Sequence, residues 1–124
     1  MGHAIMGSFK PFSGRSILVL ENEALISQSL KELFEAEGAD VYLASTPNEA
    51  LRLADEIVLS AAVLDFGSNG DVGARVGRTL RAYGIPFMYY TGYDDLKGTP
   101  VAPVLTKPAT GRALVTTMAG ILRG

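Results

Sequence analysis

The chain contains no cysteine and a single histidine, His3. Without cysteine, disulfides, thiolate catalysis and thiolate-held metal are excluded. One imidazole near the N-terminus gives no basis for a Ser–His–Asp triad or an imidazole-held zinc, since both need positioned histidines. An excess of one charge is lacking too: 11 basic residues stand against 13 acidic ones, for a net charge of −2. A nucleic-acid-binding domain would carry a basic face, so no nucleic-acid partner is expected. No apolar run approaches the roughly 18 residues of a membrane span. The N-terminus also lacks the charged-then-apolar order of a secretory signal. A cytoplasmic chain with no membrane partner is the expectation. Gly67, Gly70, Gly73 and Gly77 spell neither a P-loop nor a dinucleotide fingerprint after the first strand.

What the chain does have is a core. Of its 124 residues, 48% are hydrophobic, which suits one domain of common size. Residues 1–15 (MGHAIMGSFKPFSGR) show no period. They read as a leader, poorly ordered or foreign to the domain, although Phe9 and Phe12 are apolar enough to dock on it. The domain is expected over residues 16–124. It opens on Ile17-Leu18-Val19-Leu20, a continuous apolar run of the kind buried on both faces in parallel sheets. Leu25, Ile26, Leu30, Leu33 and Phe34 then fall at helical spacing, opposite Lys31, Glu32 and Glu35, and Gly38 stops the helix. Val41 to Leu43 form a second strand. Thr46-Pro47-Asn48-Glu49 is a helix start with a cap, a proline at the first position and a capping-box glutamate. The helix that follows buries Ala50, Leu51, Leu53, Ala54 and Ile57.

Ala61 to Leu64 form a third strand that ends in Asp65. A glycine-rich loop and a helix with Val72, Val76 and Leu80 on one face follow. Pro86 to Tyr90 form the fourth strand, ending at Thr91-Gly92. Residues 93–100 are turn-rich, with at most a short helix. Val101 to Leu105 form the fifth strand. A last helix, capped near Thr110, buries Leu114, Val115, Met118, Ile121 and Leu122. Five strands alternating with about five helices predict an α/β fold with a parallel sheet. At this length the flavodoxin-like, doubly wound five-stranded parallel sheet of order 2-1-3-4-5 leads, with its switch point between strands 1 and 3.

Ligands in such folds bind beyond the carboxyl ends of the strands near the switch point. There the sequence puts Glu21-Asn22-Glu23 after strand 1, Asp65 after strand 3, Thr91 after strand 4 and Lys107 after strand 5. Carboxylates, a hydroxyl and an ammonium suit a divalent cation and a phosphoryl group. A carboxylate can itself be the nucleophile, forming an acyl phosphate. Each residue alone has a plainer reading: Asp65 as a cap, Lys107 as a solvated lysine, Glu21 as strand-end polarity. The case rests on four strand ends converging.

Leu20-Glu21-Asn22-Glu23, Leu64-Asp65, Thr91-Gly92 and Lys107-Pro108, in that order after strands 1, 3, 4 and 5, resemble the receiver domain of two-component response regulators. The segment Ile85 to Tyr93 resembles more particularly a subgroup with a Pro-Phe-x-x-x-Thr-Gly-Tyr signature. The resemblance implies that Asp65 accepts a phosphoryl group from a histidine kinase or histidine phosphotransfer protein, with Mg²⁺ bound. It implies metal-holding roles for Glu21, Asn22, Asp65 and the Gly67 carbonyl, and phosphoryl-binding or switch roles for Lys107, Thr91 and Tyr93. Tyr93 stands in for the aromatic that many receivers carry on strand 5, where this chain has Val104. A cis Lys107-Pro108 peptide is implied as well. The function so implied is a phosphorelay signalling switch that assists only its own phosphorylation and dephosphorylation and acts on a downstream protein target. A homodimer through the strand 4 to last-helix face is among the implied partners.

One departure stands out. The family's second acid after strand 1, usually an aspartate on the metal, is Asn22 here. An amide oxygen can ligate Mg²⁺ but brings no charge, so weakened metal affinity is expected. The alternative function is a degenerate receiver that binds partners independently of phosphorylation. A haloacid-dehalogenase-type phosphatase would need a second Asp two residues after the nucleophile, where this chain has Gly67.

Overall fold

A computed structural model describes residues 10–67, 71–92 and 102–124, at positions 71 and 72 the backbone only. The elements run β1 (Ser16–Leu20), α1 (Ala24–Ala36), β2 (Asp40–Ala44), α2 (Pro47–Glu56), β3 (Ala61–Leu64), α3 (Asp71–Ala82), β4 (Phe87–Thr91), β5 (Val104–Thr106) and α4 (Gly111–Arg123). The strands form one parallel sheet of order β2-β1-β3-β4-β5, as the alternation of patterns predicts. Four helices lie among the described residues. The short helix allowed for within 93–100 falls outside them.

The sheet is doubly wound because its central strands are apolar on both sides. Ile17 to Val19 and Ala61 to Leu64 are all but inaccessible. Side chains alternate across a strand, so two cores form. Leu18, Leu20, Ala62, Leu64, Phe87 and Tyr89 pack under α2 and α3. Ile17, Val19, Ala61, Val63, Met88 and Tyr90 pack under α1 and α4. Phe12 is buried in the second core, its ring 6.1 Å from that of Phe34, and its N–H donates to the Glu37 carbonyl at 2.8 Å. The described end of the leader, Lys10 to Arg15, thus packs on the domain; residues 1–9 lie outside the described residues.

Local chemistry sets the helix ends. The Thr46 hydroxyl accepts from the Glu49 N–H at 3.2 Å, and the Glu49 carboxylate reaches back to the Ser45 N–H and hydroxyl. The reciprocal cap is therefore present, shifted one residue outward on its return bond. Those hydrogen bonds from Ser45 hold the Glu49 carboxyl below its ordinary pKa.

Leu25 and the last strand differ from the sequence reading. Leu25 is 85% exposed rather than part of the buried face. It sits in the first turn of α1, and burial on that helix starts only at Ser27 and Leu30. The last strand is Val104–Thr106, not Val101 to Leu105. Pro103 has no N–H to give to a ladder, so pairing begins just after it. Val101 lies outside the described residues.

Candidate functional site

Register brings the strand ends together. Leu20 pairs with Leu64, so Glu21 and Asp65 leave the sheet side by side. The Asp65 N–H still donates to the Leu20 carbonyl, at 3.0 Å. Thr91 pairs with Thr106, and the Lys107 N–H donates to the Thr91 carbonyl at 2.7 Å. Lys107 therefore emerges beside Thr91 and reaches back over the sheet edge.

Its ammonium lies 2.7 Å from Glu21 Oε1 and 3.4 Å from Asp65 Oδ2. The Glu21 side chain is 2% exposed, and those of Lys107 and Asp65 are only 14% and 17% exposed. Such a pair is held strongly only where the remaining lone pairs are also satisfied. For Glu21 they are: Oε2 accepts from the Glu23 N–H at 3.0 Å. Glu23 itself is exposed at the N-cap position of α1, with no side-chain capping hydrogen bond. Burial pulls the Lys107 pKa down, but hydrogen bonding to Glu21 and the charges of Asp65 and Glu21 outweigh it, leaving the ammonium above the ordinary lysine value.

Asp65 is held more loosely. Oδ1 accepts from the Gly67 N–H at 3.4 Å and Oδ2 meets Lys107 at the same distance. Gly67 turns the loop in the left-handed region, at φ 89°, which aims its N–H back at the carboxylate. On the far side α3 presses in at Gly73, where a Cβ would stand 2.7 Å from the Asp65 carbonyl oxygen and 2.8 Å from Phe66 Cα. Only a glycine lets the helix come this close. Thr91 is fully buried at the end of β4. The Lys107-Pro108 peptide is cis.

The structure thus brings together Glu21, Asp65, Gly67, Thr91 and Lys107. Asn22 is exposed at the rim, and Tyr93 lies outside the described residues. For a hard cation the donors are right in kind, all of them oxygen: the Asp65 carboxylate, the Gly67 carbonyl and the Asn22 amide. They are poor in charge. Both oxygens of Glu21 are engaged, and no group of three or more acidic or histidine ligands occurs among the described residues. Sequence reasoning missed two things. It did not foresee that the Glu21 carboxylate holds Lys107 in an ion pair. It also passed over Tyr90, whose buried hydroxyl needs a partner and finds one in this loop.

The ion pair makes Glu21→Ala costly. The variant leaves Lys107 with one distant carboxylate and the Glu23 N–H unpaired, and about 2 kcal/mol of stability should go, read by urea unfolding at neutral pH. Because the folded pKa of Lys107 is raised, its contribution is complete below about 10.4, the unfolded lysine value. It fades as pH climbs through the folded pKa, so the gap between wild type and variant should narrow in strong alkali. A gap that ignores alkaline pH would show that the ammonium is not its source.

Searched against family models, the chain matches none. Among curated proteins it is similar to the aerobic respiration control protein ArcA of Escherichia coli, at 32% identity over 80 residues. That match covers 64% of this chain and 34% of ArcA, so the chain spans about a third of the length of the curated relatives it matches. A response regulator receiver domain protein from Clostridium thermocellum superposes with a TM-score of 0.78 at 25% identity, covering 88% of this chain and 94% of that one. A response regulator receiver protein from Sinorhizobium medicae gives 0.79 at 24% identity, over 89% and 95% of the two chains, and shares the fold. Order of strands, convergent strand ends and these likenesses agree: the chain has the fold of response regulator receiver domains and is similar to them in sequence. Among the described residues no helix is long and apolar enough to cross a membrane.

Proposed function

We propose that this receiver domain takes a phosphoryl group onto Asp65 from a phosphohistidine and serves as a signalling switch. The observation that carries the reading is the Lys107 ammonium poised over both Asp65 and Glu21, at 3.4 and 2.7 Å. A lone pair on an Asp65 oxygen attacks phosphorus. The phosphorus–nitrogen bond of the donor breaks, and its electron pair stays on the imidazole nitrogen, which takes up a proton from solvent. The product is an acyl phosphate. Asp65 Oδ2 is free to react because its contacts are long, while the tightly bound Glu21 anchors the lysine. Lys107, already at the site, neutralises charge on the transferred group.

Mg²⁺, when bound, would screen the phosphoryl oxygens from the carboxylate. Asp65, the Gly67 carbonyl and the Asn22 amide would hold it, Glu21 adding charge nearby. Thr91 and Tyr93 carry the response in this reading, the hydroxyl turning toward the new phosphoryl group. The donor would be a histidine kinase or a histidine phosphotransfer protein in the cytoplasm, and the output a protein target or a second copy docked through the β4 to α4 face. The phosphorylation-independent alternative has only Asn22 in its support, whereas the convergence of Asp65, Lys107 and Glu21 favours chemistry.

The test is labelling with a small phosphodonor across a Mg²⁺ titration, comparing wild type with Asn22→Asp. Wild type should be labelled, with half-saturation at high metal. The added carboxylate should move that midpoint down by about tenfold, the effect of one more charged ligand on a hard cation. No labelling of wild type at any metal concentration would sink the proposal.

A further inference from the structure

Tyr90 stands apart from the other aromatic residues of β4. Its neighbour Tyr89 packs edge-on against Phe66 and Phe87 in the core under α2 and α3. Tyr90 faces the opposite core and is 7% exposed. A phenylalanine would fill that space equally well, and burying a hydroxyl is unfavourable unless it finds a partner. The partner here is the loop after β5: the Ala109 N–H donates to the Tyr90 hydroxyl at 3.1 Å. The same ring lies under the lysine two residues earlier, with Lys107 Nζ 5.8 Å from its centroid. That is within the roughly 6 Å over which a cation is drawn to an aromatic face.

Lys107 needs such support. A lysine is a hydrated point charge on a flexible stem. This one follows a strand of only three residues, at the sheet edge. Its backbone is held on one side by the Thr91 carbonyl. Tyr90 holds the loop on the other side and offers a face to the ammonium.

We infer that Tyr90 is a positioning residue for Lys107: hydroxyl and ring together set where the ammonium stands relative to Asp65. The inference rests on the proposed phosphoryl chemistry for its consequence, though not for its geometry. Tyr90 touches neither Asp65 nor the incoming group and acts only through the lysine.

Two variants separate the contacts. Tyr90→Phe removes the hydroxyl and keeps the ring; Tyr90→Leu removes both. With a small phosphodonor at saturating Mg²⁺, Tyr90→Phe should slow labelling of Asp65 by about fivefold, the scale of one lost hydrogen bond. Tyr90→Leu should slow it by about tenfold or more, adding the lost cation–π contact. In a Lys107→Ala background neither should slow it further. Equal losses in both backgrounds would mean that Tyr90 only supports the fold, and would overturn the inference. A second readout needs no phosphorylation: the Lys107 Nζ resonance by NMR and the exchange protection of the Ala109 amide. Tyr90→Phe should shift the first and lower the second. If both stay as in wild type, the positioning role is refuted, whatever the labelling shows. If wild type takes no label but both signals respond to Tyr90→Phe, the phosphoryl reading fails and the positioning of Lys107 by Tyr90 stands.

Discussion

Asp65→Asn should take up no phosphoryl group from any donor while keeping its fold. The amide has the carboxylate's shape but no nucleophilic oxygen, so the acyl phosphate cannot form. Its carbonyl oxygen can still accept from the Gly67 N–H, which is 3.4 Å from Oδ1 in the wild type. Lys107 loses the longer of its two ion pairs and keeps Glu21 at 2.7 Å. Stability should therefore change by no more than about 1 kcal/mol, as for a loose, partly solvated pair. The measurement is intact-protein mass after phosphodonor treatment, beside a thermal melt. Retained label with an unchanged melt would move the nucleophile elsewhere, and Glu21, on the same ammonium, would be the first oxygen to examine.

An effect on stability as large as that of Glu21→Ala should come from Gly73→Ala. In an open helix this change is stabilising by about 1 kcal/mol, because alanine is the better helix former. At position 73 the added methyl would stand 2.7 Å from the Asp65 carbonyl oxygen and 2.8 Å from Phe66 Cα. Both are backbone atoms next to a buried strand, so α3 has to move off the sheet. Overpacking of this kind costs about 1–3 kcal/mol, and without a side chain to swing aside the upper end applies. The net expectation is a loss of about 2 kcal/mol, a fall in Tm of roughly 6–10 °C for a domain of this size. Gly120 is the control. It lies in α4, where a Cβ would meet nothing within 4 Å, so Gly120→Ala should leave Tm unchanged or raise it. Similar falls for both would point to helix packing in general rather than the contact with Asp65. Because the clash falls on the backbone of the proposed acceptor itself, Gly73→Ala should also slow labelling of Asp65.

Much of this was legible in the chain. Unbroken apolar runs at Ile17 to Leu20 and Ala61 to Leu64 admit little but strands covered on both faces, and helix-period segments between them force parallel pairing. Once that order is set, Glu21, Asp65, Thr91 and Lys107 must share an edge, whatever their side chains do. Periodicity stops at the side-chain level. It cannot tell which of two carboxylates at adjacent strand ends a lysine grips, because spacing along the chain is silent about distances across strands. It also marks Leu25 as a core position, since the helical repeat continues past the point where there is core to cover. Tyr90 reads as one more strand aromatic, and its link to Ala109 depends on a turn whose path no repeat encodes. Nor does the spacing of glycines single out Gly73 from Gly120; only the approach of a backbone does.

The contact between Lys107 and Glu21 joins residues 86 apart along the chain. A loop of that length closes late, since its ends meet only after the strands between them have found their places. The site is thus a product of the finished sheet and cannot belong to a local nucleus. Weakening it should change how fast the native state opens more than how fast it forms. A chain still being made, or one lacking its last strand, carries Asp65 without the ammonium beside it. The proposed chemistry at that aspartate should therefore wait until folding is complete.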